Sequence, residues 1–110
     1  MTITERPRVL LSVQRALLGA ITPQVRVVDV CWNDSEILVR FVVDGEVEES
    51  LSEIVTLVET EILSDFVPDA DVSVRVVRID KGSPVLEFAP LSGGSARVFA
   101  RREDYGSAQG

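Results

Sequence analysis

The sequence predicts an α+β fold: a two-layer α/β sandwich of order α-β-β-α-β-β, with two helices on one face of a four-stranded antiparallel sheet. Residues 47–62 repeat apolar side chains at the helical period, in Val47, Leu51, Ile54, Val55, Val58 and Ile62. Residues 36–43 alternate instead, with Ile37, Val39, Phe41 and Val43 on one side and Glu36, Leu38, Arg40 and Val42 on the other. The third observation is that neither amphipathic helix has anything but a sheet on which to bury its stripe. The chain has 110 residues, 45% of them hydrophobic, enough for one core. The single domain is expected over residues 1–102, with 103–110 a frayed, disordered tail.

The first helix begins near Pro7, whose missing N–H is no loss in a first turn. Val9, Leu10, Val13, Leu17 and Ala20 give it an apolar stripe, and Gly19 with Thr22-Pro23 marks its end. The β-branched run "QVRVVDVCW" reads as the first strand. A turn at "NDS" leads into the second, "EILVRFVVD", so these two form a hairpin. Asp44-Gly45 turns the chain into the second helix, which Phe66 and Pro68 close. "VSVRVVRID" is the third strand, residues 81–94 with their three glycines and two prolines are a long loop, and "SARVFARRE" is the fourth strand. The expected core is the two helical stripes with Ile37, Val39, Phe41, Val43, Val72, Val74, Val76 and Val98.

Composition narrows the chemistry. There is no histidine, which removes the commonest general base and the commonest transition-metal ligand. Cys31 is the only cysteine, so an intrachain disulfide or a cysteine-rich zinc site is ruled out. It also has no histidine or nearby lysine to lower its pKa, and reads as a structural thiol. Asp69 with Asp71, and Asp34 with Glu36, are carboxylate pairs by type but sit where turns and strand ends routinely place acids. "GSP" and "SGGS" precede no helix and are not phosphate loops. These points predict no catalytic residue, no metal site and no cofactor. No apolar run is long enough for a membrane span, and no signal-peptide pattern opens the chain, so a cytoplasmic protein is expected.

Charge is the informative feature. The chain has 18 acids and 11 bases, a net charge of −7, which disfavours nucleic acid and anionic membranes as partners. Ten of the acids fall between residues 41 and 74, where there is no lysine or arginine. Glu49 with Glu53, and Glu61 with Asp65, are like-charge pairs at four-residue spacing, each costing roughly 0.2–0.5 kcal/mol in a helix. Three readings stand: a solvated outer face, a docking surface for a cationic protein through Glu46, Glu49 and Glu53, or the binding of a cation. Strand alternation also predicts that Arg26, Arg40, Arg75 and Arg97 share the sheet face away from the helices, with Val28, Leu38, Val42, Val77, Phe99 and Trp32. That mixture fits either a partner or weak self-association surface, or arginines snorkelling over exposed aliphatics.

The stretches "LLSVQRALLGAITP", "FVVDGEVEES" and "VETEILSDF", with the closing "VFARRE", resemble a family of small bacterial proteins that includes immunity proteins of contact-dependent growth inhibition systems. The resemblance implies a non-enzymatic module that binds and neutralises a cognate protein toxin. None of those stretches is a catalytic or ligand motif, and the resemblance assigns no binding residue. A nuclease toxin, basic because it must hold phosphates, would be steered by a dense carboxylate surface. The alternative is a structural or regulatory domain that self-associates, as a weak homodimer, through the arginine-rich sheet face.

Overall fold

The computed structural model describes residues 5–103. Its elements are α1 (Arg6–Ala16), β1 (Val25–Trp32), β2 (Glu36–Val43), α2 (Glu49–Phe66), β3 (Asp71–Arg78) and β4 (Gly94–Ala100). The element order is the expected one, and both helices bury their stripes in a single cluster with one face of the sheet. Val47, placed in the stripe of the second helix by its spacing, lies ahead of α2 and is exposed.

The sheet is mixed, not antiparallel. Its strand order is β3-β2-β1-β4. The β1–β2 and β1–β4 pairs are antiparallel, but β2 and β3 run parallel, in register from Glu36↔Asp71 to Val43↔Arg78. The cause is the length of the connection. The 18 residues of α2 span about 27 Å at 1.5 Å each. The eight residues of β2 span about 26 Å at 3.3 Å each. The helix therefore returns the chain to the end at which β2 began, and β3 starts there as the second strand of a β-α-β unit. A hairpin would have reversed the strand direction; the helical crossover restores it, so the expected antiparallel pairing fails at β2–β3.

The buried centre joins Val9 and Val13 of α1 to Ile37, Val39, Phe41 and Val43 of β2 and to Leu51, Ile62 and Phe66 of α2, all without measurable exposure. Each such large side chain contributes about 1.5–3 kcal/mol by leaving water. Truncating Phe41 to alanine would cost about 3–5 kcal/mol through the cavity it leaves. On β3, Val72 is buried, while Val74 and Val76 pack against the core half-exposed, as befits an edge strand. That edge is partly capped, because the Val74 N–H donates to Glu59 Oε2 of α2 at 3.0 Å.

Two bulges decide which side chains face which layer. Val25 pairs with Val43 and Val27 with Val42, leaving Arg26 as an extra residue in β1. Beyond it the alternation is inverted, so Val28, Val30 and Trp32 join the helical core. A second shift, between Val28↔Phe99 and Asp29↔Arg97, leaves Val98 extra in β4 and turns Phe99 to the core as well. Val28, Trp32 and Phe99 are thus not on the arginine face, where unbroken alternation puts them.

β3 and β4 occupy opposite edges, so the loop 79–93 must cross the sheet on the face away from the helices. It is fastened there. Arg26 Nη1 donates to the carbonyls of Ile79, Asp80 and Ser83 at 2.6–3.1 Å, Arg40 Nη2 donates to Leu86 O at 2.7 Å, and the Phe88 ring is buried over the Arg40 guanidinium. At the end of the loop, a Cβ on Gly94 would lie 2.5 Å from Cζ2 of Trp32, its register partner, so only glycine lets the indole close over this strand.

Candidate partner-binding surface

The acidic surface is built from the turn 44–48 outward. Gln24 holds that turn: its Nε2 donates to Asp44 O at 3.2 Å and to Glu46 O at 2.8 Å, and its Oε1 accepts from Glu48 N–H at 3.1 Å. On the other side Gly45 N–H donates to Asp80 Oδ1 at 2.8 Å, and Lys81 N–H to Asp44 Oδ1 at 3.0 Å. Hydrogen bonds from Arg78 and from Gly45 N–H hold the Asp80 carboxyl below its ordinary value, so it stays ionised as the anchor. The chain then enters α2 with its first acids fixed in position.

Glu46, Glu49 and Glu53 are all exposed, and none of the ion pairs among the described residues involves them. Glu48 and Glu61 are exposed and outside those pairs too. Asp65 differs. It accepts from Arg15 Nη2 and Ser12 Oγ, both at 2.5 Å, and Arg8 donates to its carbonyl. The Glu61–Asp65 repulsion expected from spacing is therefore offset by α1, whereas the Glu49–Glu53 repulsion is not.

The four arginines do not form one open face. Arg26 and Arg40 are buried, at 2% and 9% exposure. Arg26 makes a two-point contact with Glu103, Nε to Oε2 at 2.8 Å and Nη2 to Oε1 at 2.9 Å, and Arg101 adds its own bonds to the same carboxylate. Glu103, which the sequence places at the start of the tail, is thereby tied into the fold; residues 104–110 lie outside the described residues. Arg40 shares Asp29 with Arg97, and the strand registers set Arg75, Arg40, Asp29 and Arg97 in one row across all four strands. Arg75 and Arg97 remain exposed, Arg75 with its guanidinium 5.9 Å from the Phe88 centroid. Hydrogen bonding to Asp29 raises the Arg97 guanidinium above its ordinary value, which fixes its charge.

Asp29, Glu103 and Phe88 are the partners that sequence reasoning did not single out. The signal for Asp29 was present, a lone acid inside the apolar run "VRVVDVCW". Strict alternation set it on the face opposite Arg26, and only the bulge brings it round.

Cys31 is fully buried, and burial pushes its thiol up from the ordinary value of 9.0. Among the described residues no group of three or more histidine, cysteine, aspartate or glutamate side chains is placed to hold a metal ion. No described helix is long and apolar enough to cross a membrane.

The sequence model of the MafI2 immunity protein family matches residues 6–103, nearly the whole described domain. The chain belongs to this family. The match takes in every element from α1 to β4 and also Glu103, the carboxylate that Arg26 binds. No curated protein matches the chain.

Proposed function

We propose that the chain is a non-catalytic immunity protein that neutralises a cognate toxin by binding it in the cytoplasm, within a contact-dependent growth inhibition system. Membership of the MafI2 immunity family is the observation that carries this reading. The docking surface is the acidic turn and first half of α2, through Glu46, Glu49 and Glu53. Its support is electrostatic: these carboxylates are exposed, follow a braced turn and form none of the ion pairs among the described residues. Their repulsion disfavours the free state slightly and is relieved by a basic partner. A nuclease toxin fits that description, because it must present cations to phosphates. Self-association through the sheet is less well supported, since the loop 79–93 occupies that face and buries two of the four arginines.

The test is growth rescue. The product of the gene immediately upstream, where this reading places the toxin, is expressed alone and together with this chain, and the two proteins are then mixed and run by gel filtration. Restored growth and a stable complex are expected. Absence of both would overturn the proposal.

A further inference from the structure

The outer surface of the helical layer carries a feature that the acidic turn does not explain. Leu18 and Leu57 are among the most exposed large apolar side chains of the described residues, at 80% and 66%. They line one cleft of about 130 Å³ between the turn that ends α1 and the middle of α2, floored by Ala20, Ile54 and Val58. The turn is specific. Gly19 takes a φ of 76°, Ala20 N–H returns to Leu17 O at 2.9 Å, and Leu17 and Ala20 tuck into the core while Leu18 is turned out. Leu57 stands between Glu53 and Glu61, four residues from each, so an apolar spot is flanked by carboxylates along one stripe of α2.

Resting on the immunity reading above, we propose that this cleft is the apolar centre of the toxin interface. It takes one leucine- or phenylalanine-sized side chain of the partner, flanked by lysines or arginines that meet Glu53 and Glu61. The size fits, since an apolar cavity of roughly 150 Å³ accepts a benzene ring. The charge pattern selects the flanks: α2 has no cation, so a partner with acids beside its anchor is repelled. Interfaces concentrate their affinity in such a buried apolar spot, and the charges around it act mainly on encounter.

The two contributions separate kinetically. Leu57→Ala and Leu18→Ala are made in the full chain, and binding to the upstream gene product used in the growth-rescue test is followed by surface plasmon resonance at two ionic strengths. Both side chains are exposed, so circular dichroism and thermal midpoint should match the wild type. Leu57→Ala is expected to speed dissociation about tenfold or more at both salts, with association changed less than about threefold. Backbone amide shifts of residues 18, 54 and 57 should move when toxin is added. A wild type that binds while both variants dissociate at its rate overturns the cleft but leaves the immunity reading intact. A wild type that fails to bind the toxin overturns both. A wild type that sediments as a dimer, with Leu57→Ala a monomer, assigns the cleft to a second copy and overturns the toxin assignment.

Discussion

Asp29 and Arg40 face each other across the β1–β2 register, with Arg40 Nη2 2.6 Å from Asp29 Oδ2 and both side chains buried. The same carboxylate takes Arg97 from β4, so one acid in the central strand ties its two neighbours together. Removing it leaves the Arg40 charge buried and uncompensated. Asp29→Ala should therefore cost about 3–5 kcal/mol, measured by urea denaturation. Arg97→Ala breaks the half-exposed arm of the same cluster and should cost about 1 kcal/mol or less. Equal losses in the two variants would show that the buried pair is not the dominant member.

The contact between Arg26 and Glu103 makes a prediction about where the domain ends. Glu103→Ala should destabilise by about 3 kcal/mol, because it exposes Arg26 and Arg101 to the loss of a shared, buried carboxylate. Arg102→Ala, one residue away and exposed, should change stability by less than about 0.5 kcal/mol. A Glu103 variant as stable as the wild type would assign that residue to the tail.

Cys31 links stability to alkaline pH. Its folded-state pKa lies above the ordinary value of 9.0 because burial disfavours the thiolate. The unfolded chain then releases this proton at lower pH than the folded one. Its contribution to stability is full below pH 9 and falls as pH rises through and beyond that value. Cys31→Ala should remove this part of the alkaline decline, seen in urea midpoints between pH 8 and 10. In the native protein the thiol should react with iodoacetamide only as fast as the chain opens. Rapid labelling under native conditions would contradict its burial.

The acidic face predicts a rate effect without a folding effect. Replacing Glu46, Glu49 and Glu53 with glutamine removes one like-charge pair, worth about 0.2–0.5 kcal/mol. It also removes a first-turn carboxylate that favours the helix dipole by about 0.3–1 kcal/mol. The terms oppose, so stability should move by less than about 0.5 kcal/mol. Association with the toxin domain should slow about tenfold at low ionic strength and lose most of its salt dependence. Unchanged association rates at both salts would mean that these acids only solvate the helix.

The sequence by itself determined the order of elements, the helical layer and its buried stripes. Those follow from periodicity, which local geometry converts directly into faces: Leu51, Val55, Val58 and Ile62 of α2 share one buried cluster with Ile37, Val39, Phe41 and Val43 of β2. It also located the cation-free acidic stretch, because charge density is a property of sequence. Only the tertiary structure decided that β2 and β3 run parallel, since that depends on how the length of α2 matches the strand beside it. Only the tertiary structure decided the fate of the arginines. One extra residue at Arg26 inverts the alternation of β1 and brings Asp29 beneath Arg40 and Arg97, and the loop 79–93 then closes over them. A bulge is a one-residue mismatch between two strands, written in neither strand alone. The partners that bury a charge lie 11 to 77 residues away along the chain, so the face that reads as open from alternation is, once folded, largely a second buried layer.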